Sequence, residues 1–161
     1  MPDYRPTPTP IPNPVPTSEP FWRGTKDHKL MLQRCANGHV FYYARTHCPE
    51  CLSRDTEWFE ASGRGTLYSH TVCYRAQSPD FEPDVPYIVA AIVLEEGPRM
   101  TSLLVDVAPE DVRIDGPVEV TWQDVSDDIA MPYFRPAGVE HDVANPNPTD
   151  FAFIEIELKR A

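Results

Sequence analysis

Nowhere in this 161-residue chain do apolar residues run unbroken for 18 positions, so the sequence contains no segment fit to cross a bilayer as a helix. Its start lacks the basic-then-apolar pattern of an export signal, and the expectation is a soluble, cytoplasmic protein. Positive charge is scarce where a nucleic-acid binder would need it. Residues 1–58 carry 7 Lys/Arg against 6 Asp/Glu, whereas residues 59–161 carry 7 against 19. Affinity for nucleic acid comes largely from neutralised phosphates, so an acidic half of this kind repels that partner and repels anionic membranes as well. The sequence also has no G-x-S-x-G elbow, H-E-x-x-H helix, G-x-G-x-x-G turn or P-loop, and no reaction is legible in its motifs. Only four cysteines are present, Cys35, Cys48, Cys51 and Cys73; in a chain without an export signal they read as metal ligands or core thiols rather than disulfides.

Proline, by contrast, is abundant, with 19 residues, eight of them within the first 20. That arm, residues 1–17, lacks the donors for a ladder and is expected to be extended and polyproline-like, either a free tail or an arm laid on a partner. From Ser18 the pattern predicts a short helix over 19–28, with Ser18 as its cap and Pro20 near its first position. Residues 30–33 should then be extended and lead into Cys35. Beyond Cys51 the period becomes two. Residues 56–60 and 65–75 read as one long strand bent at Gly63 and Gly65, 87–94 and 100–107 as a hairpin, and 118–123 and 131–134 as two further strands. Five strands with little helix predict a mainly β chain ending in a partly open Greek-key barrel, the OB architecture. The expected organisation is a proline-rich arm at 1–17, a helix and zinc ribbon at 18–58, a barrel at 59–137 and an extension at 138–161. In that extension Ile154, Ile156 and Leu158 alternate with Glu155 and Glu157 as in a strand.

The chemistry lies in residues 34–51, RCANGHVFYYARTHCPEC. Zinc takes four nitrogen or sulfur ligands in a tetrahedron, and ribbons deliver them from two tight knuckles. Cys48-Pro49-Glu50-Cys51 is one knuckle. In the other, Cys35 is followed by Gly38 where a second cysteine would stand, and then by His39. The expected ligands are Cys35, His39, Cys48 and Cys51, with His47 as rival for the fourth place. The alternatives are a ribbon that has lost its metal and stands on Phe41, Tyr42 and Tyr43, or a redox Cys-x-x-Cys pair. Cys73 lies in a strand three residues from His70, so the two should face opposite sides, and it reads as a structural thiol. Asp127-Asp128, Glu95-Glu96 and Glu110-Asp111 read as solvated acidic surface.

Taken together, Pro20-Phe21-Trp22, Leu32-Gln33-Arg34-Cys35, Cys48-Pro49-Glu50-Cys51, Ser62-Gly63-Arg64-Gly65-Thr66-Leu67-Tyr68-Ser69, Pro86-Tyr87, Glu96-Gly97-Pro98-Arg99 and Phe134-Arg135-Pro136 resemble a family of acyl-CoA-associated proteins. Its members have an N-terminal rubredoxin-like zinc ribbon and a C-terminal OB-fold, and the resemblance runs from Glu19 to Ala137. It implies a non-catalytic accessory subunit in a hetero-oligomer with a thiolase-like or lipid-transfer-protein-like aldolase subunit acting on acyl-CoA, in steroid side-chain, aromatic or polyketide-type lipid metabolism. Zinc is the implied cofactor, and a CoA thioester could be contacted within the complex. The first knuckle departs from the family at Cys35-Ala36-Asn37-Gly38-His39, where a second cysteine is expected. Other classes that the sequence leaves open are an OB-fold nucleic-acid binder and a stand-alone enzyme or CoA carrier. Contacts to the enzyme partner are expected from the ribbon and both terminal extensions, and the C-terminal strand is expected to pair either with its own barrel or with a companion.

Overall fold

The computed structural model describes residues 12–77 and 79–138. Residues 1–11 of the arm expected at 1–17, and the strand expected at 154–158, lie outside them. Helix α1 (Glu19–Lys26) starts at the expected place. The Ser18 cap is not made: Ser18 already has helical backbone angles, and its hydroxyl donates to the Val15 carbonyl at 3.2 Å. A capping side chain needs extended backbone to reach the free amides, and the turn from Val15 into the helix removes that geometry. Glu19 and Arg23 pair one turn apart on the exposed face, while Phe21 and Thr25 are buried. The helix stops at Asp27, whose amide bonds back to Gly24, and His28 follows at φ 56°.

Two sheets follow. In the first, β1 (Met31–Cys35) lies between β2 (Val40–Phe41) and β3 (Thr56–Glu60), antiparallel to both. The second is a closed barrel of β4 (Arg64–Cys73), β5 (Tyr87–Leu94), β6 (Arg99–Leu104), β7 (Pro117–Ser126) and β8 (Ile129–Pro136), in the order β4-β5-β6-β8-β7. The single bent strand expected over 56–75 is therefore two strands in two sheets. Gly63, at φ +72°, turns the chain out of the ribbon sheet, and a Cβ there would stand 2.5 Å from Val120 Cγ1. β4 and β5 pair from Gly65↔Leu94 to Cys73↔Tyr87 with a shift between Leu67 and Ser69, and β7 and β8 pair from Val118↔Pro136 to Ser126↔Ile129 with a shift between Asp124 and Ser126. The barrel closes most sparingly between β6 and β8, which run parallel and share the single pair Leu104↔Phe134.

One apolar cluster joins the two sheets. Phe21 of the helix and Leu30 and Leu32 of the ribbon pack with Leu67, Ile92, Leu104 and Phe134 of the barrel, and Leu32 and Phe134 are fully buried. Burying such side chains stabilises by roughly 1.5–3 kcal/mol each, so the ribbon is held to the barrel by a shared core rather than by a linker. Lys26 adds a 2.6 Å ion pair to Asp128 on the β7–β8 turn, and His28 stacks on Trp122 with its Nε2 2.7 Å from Asp124. No helix of the described residues is long and apolar enough to cross a membrane.

Candidate metal centre

The ribbon has a small core of its own, made of Cys35, Phe41 and Cys48 with Cys51 packed against it. The last residue of β1 is Cys35. Its amide bonds to the His39 carbonyl at 3.0 Å and its carbonyl accepts from Gly38 at 2.8 Å, closing the first knuckle, with Gly38 at φ +85°. In the second knuckle the Cys48 amide bonds to the Ser53 carbonyl at 2.9 Å and the Leu52 amide to the Cys48 carbonyl at 3.0 Å. Leu52 itself sits at φ 60°, a left-handed conformation that glycine adopts freely and leucine does not.

These turns bring one donor atom from each of Cys35, His39, Cys48 and Cys51 within 4.8 Å of one another. The Sγ atoms of Cys35 and Cys51 are 3.8 Å apart, and His39 Nδ1 is 3.5 Å from Cys35 Sγ and 3.6 Å from Cys48 Sγ. With Zn–S near 2.3 Å and Zn–N near 2.0–2.1 Å, a tetrahedron has S–S edges of about 3.8 Å and S–N edges of about 3.5 Å. The donor set therefore fits one tetrahedral zinc ion. His39 stands one position beyond the place of the missing cysteine, and the greater reach of an imidazole over a thiol covers that offset. His47 lies elsewhere: its Nδ1 is 2.9 Å from Thr46 Oγ1, and its Nε2 accepts from Arg54 at 2.8 Å.

The surroundings favour the ligating thiolate at Cys51 and Cys35 and the protonated form at Cys48 and His39. Cys51 is held down to about 6, first by the Ser53 amide and then by the Asn37 side chain, whose Nδ2 donates to its sulfur at 3.2 Å. At Cys35 desolvation is the largest influence and raises the thiol, but the amides of His39 and Asn37 outweigh it and the net shift is downward. Desolvation leads at Cys48 and pushes it up. His39 is raised, first by Cys51 and then by Cys35. Two supporting residues escaped the sequence reading. One is Asn37. The other is buried Gln33, whose amide donates to the Arg45 carbonyl at 3.1 Å and accepts from the Arg45 amide at 2.8 Å, fixing the loop between the knuckles. A polar residue between Leu32 and Cys35 in a strand was the available signal. Of the aromatic trio expected to support the ribbon, Phe41 is buried beside the cysteines, Tyr42 packs on Phe21 toward the barrel, and Tyr43 is 62% exposed.

Among the described residues, no nucleophile–base pair forms at Cys73. Paired residues share a face of the sheet, so His70, opposite Ala90, points with the fully buried interior row, while Cys73 shares the outer face of Tyr87. Cys73 and burial together hold the Tyr87 phenol above its ordinary range, with burial the larger cause.

The comparisons with known proteins agree with this architecture. The family model for the ChsH2 rubredoxin-like zinc ribbon domain matches residues 22–57, and that for the ChsH2 C-terminal OB-fold domain matches residues 58–123. A probable enoyl-CoA hydratase alpha subunit of Thermomonospora curvata is 37% identical over 119 residues, covering 73% of this chain; the chain spans only 37% of that protein's length. A solved structure described as Ltp2-ChsH2(DUF35) aldolase superposes with a TM-score of 0.70 at 34% identity, over 79% of this chain and 99% of that one. A DUF35 domain-containing scaffold protein of Methanocaldococcus jannaschii is 40% identical over 111 residues, 66% of this chain and 77% of the scaffold. With ribbon and barrel matched in order, and a scaffold protein matched over most of its length, the chain belongs to the DUF35 family of ChsH2-type zinc ribbon and OB-fold proteins.

Proposed function

We propose that this chain is a non-catalytic accessory subunit that binds and supports a thiolase-like or aldolase enzyme acting on acyl-CoA thioesters in the cytoplasm. The observation that supports it most is the superposition on the ChsH2(DUF35) chain of an aldolase, where nearly the whole of that chain is matched. The names of two relatives, a scaffold and a hydratase subunit, point the same way. The construction of the chain is consistent with scaffolding. A shared core joins ribbon to barrel, the thiol and imidazole groups that meet among the described residues are those of the candidate metal cluster, and the ribbon carries Tyr43 and Leu52 largely exposed, 62% and 74%. Apolar side chains in water on a rigid knuckle suit a protein interface.

Zinc in this reading is structural. Cys35, His39, Cys48 and Cys51 would hold it, and the ion would supply folding energy to the ribbon rather than chemistry. A CoA thioester would be bound and transformed by the partner, in steroid side-chain or aromatic degradation. The test is co-expression of the tagged chain with a thiolase-like or aldolase protein encoded beside it. A stable hetero-oligomer with acyl-CoA activity, and no activity from this chain alone, is the expected result. A chain that ignores every such neighbour, or that turns over acyl-CoA unaided, would overturn it.

A further inference from the structure

The apolar feature left unused above is a groove of about 470 Å³ on the outside of the barrel. Its floor is the outer face of β5, β6 and β8, which carries Val89, Leu103 and Met131. Trp22 of the helix and Tyr42 of the ribbon border it, as does Phe81 of the β4–β5 connection, whose ring lies 6.1 Å from that of Tyr87. The groove deepens where the barrel closes most sparingly. β6 pairs with β8 only at Leu104, and Met100, almost wholly buried, forms part of the wall. Helix, ribbon, barrel and connection thus enclose one pocket, and its volume lies within the roughly 300–1,000 Å³ of small-ligand sites.

Two properties of the lining define the ligand. None of the 15 residues around the groove is charged, although charged residues make up 24% of the chain. A carboxylate, phosphate or ammonium would lose its hydration there without gaining a partner, so the groove selects for a neutral ligand. The phenols of Tyr42, Tyr87 and Tyr133 feel the same environment, each held above its ordinary range chiefly by burial. Polarity is also graded along the lining. Phe21, Tyr87, Met100 and Tyr133 are nearly fully buried, whereas Gln77 and Thr101 are exposed and offer an amide and a hydroxyl. We propose that this groove binds the uncharged hydrocarbon body of a small ligand, a linear acyl chain or a fused-ring skeleton, with a neutral carbonyl toward the exposed Gln77 and Thr101. A protein strand is the poorer occupant. The Ser102 hydroxyl donates to the Pro132 carbonyl at 2.6 Å, which holds β6 and β8 too close for a further strand to enter between them. In the accessory subunit proposed above, the groove takes the acyl part of the thioester while the phosphates of CoA stay outside it; that identification rests on the accessory-subunit reading, and the preference for a neutral apolar ligand does not.

The test uses the full chain alone, so its outcome is independent of any enzyme partner. Met100 and Met131 line the groove, and Met31 lies on β1 outside its lining. With carbon-13 in the methionine methyls, the chain is titrated with the decanoyl thioester of N-acetylcysteamine, with progesterone as a neutral fused-ring ketone, and with decanoate. The Met100 and Met131 signals should move saturably with one or both neutral probes while Met31 stays, and the tighter of the two identifies the skeleton as linear or fused-ring. Decanoate should bind at least about tenfold more weakly, because its carboxylate meets no cation in the groove. Leu103→Trp, which fills the groove from its floor, should abolish the shifts. Gln77→Ala, at an exposed position where the fold is untouched, should weaken thioester binding by about threefold to tenfold. Groove signals that ignore both neutral probes, or decanoate bound as tightly as its thioester, would overturn the proposal. So would shifts seen only in a chain ending at Gly138, since the groove would then be filled by another part of the chain.

Discussion

The imidazole of His39 stands with Nδ1 3.5 Å from the sulfur of Cys35, four residues earlier on the same knuckle. A ribbon that had lost its metal would have no reason to hold a basic nitrogen and three sulfurs at the edges of one tetrahedron, because desolvating them without a cation is costly. Protein purified without added metal should contain close to one zinc per chain by elemental analysis. Cys48→Ser, at a fully buried candidate ligand, should release the ion and loosen the ribbon, since metal affinity at such a site is also folding energy. His39→Ala should lower affinity, whereas His47→Ala should leave the metal content unchanged. Zinc that departs with His47 and stays with His39 would reverse the ligand assignment.

Leu52 ends the second knuckle in the left-handed region while leaving 74% of its surface in water. Left-handed backbone costs a leucine about 1–2 kcal/mol, and the exposed side chain returns little burial in the free chain. Leu52→Gly should therefore raise thermal stability, by about 0.5–1 kcal/mol once the larger entropy of unfolded glycine is subtracted. The same variant should weaken the enzyme complex if Leu52 belongs to that interface. Opposite signs in the two measurements would show that the strain is retained for binding; a drop in melting temperature would refute the strain argument.

Gly65 makes the contrary case. A Cβ added there would meet Ile92 Cγ2 and the Val93 carbonyl oxygen, both at 2.7 Å. Neither can yield easily, one lying in the core and the other in the β4–β5 ladder, so Gly65→Ala should destabilise by about 1–3 kcal/mol or more, read as a lower denaturant midpoint at unchanged slope. Gly97→Ala, on an open turn with nothing within 4 Å but φ +104°, should cost less, because only backbone strain is involved.

How these two glycines differ explains what the sequence could and could not disclose. Period-two patterning located every barrel strand, since a row such as Ile88, Ala90, Ile92 and Leu94 buries one whole face of β5. It also merged β3 with β4, because both sides of Ala61-Ser62-Gly63 look alike in a one-dimensional pattern and only the third dimension assigns them to different sheets. The two-residue β2 was too short to show any period. At the candidate metal centre the four residues that the structure brings together had been picked out from spacing, with His47 left as the rival of His39. The choice between them depended on which ring the knuckle turned inward and which one Thr46 and Arg54 occupied.

Charge bears on the nucleic-acid alternative. On the described surface two of the second half's arginines are ion-paired, Arg64 to Glu95 at 2.8 Å and Arg135 to Glu119 at 2.8 Å, and Arg99 lies over the Tyr68 ring. Few cations are left to track a phosphate backbone on a half-chain with 19 acidic residues. Titration with single-stranded DNA or RNA at physiological salt should show no binding. A sub-micromolar affinity that falls steeply with salt would restore the OB-fold reading as a nucleic-acid module.

Alkali should destabilise this protein through two shielded tyrosines, Tyr133 and Tyr42. Burial pushes the Tyr133 phenol up to about 12, with Asp84 contributing less, and burial pushes Tyr42 up to about 12 with a smaller push from Tyr43. A tyrosine is neutral when protonated, so a folded-state value above the unfolded value near 10 means that the fold prefers the protonated form. The stability linked to each group is therefore fully present below about pH 10, falls as pH rises, and is gone above about pH 12, amounting at most to roughly 2–3 kcal/mol per group. Denaturant midpoints compared at about pH 9 and about pH 11 should fall in step with the appearance of tyrosinate absorbance at high pH. Tyr133→Phe should flatten part of that slope at the cost of little packing, because the ring is kept and only the hydroxyl is lost. A wild-type protein whose tyrosines all titrate near 10 while it remains folded would show that neither phenol is shielded in solution.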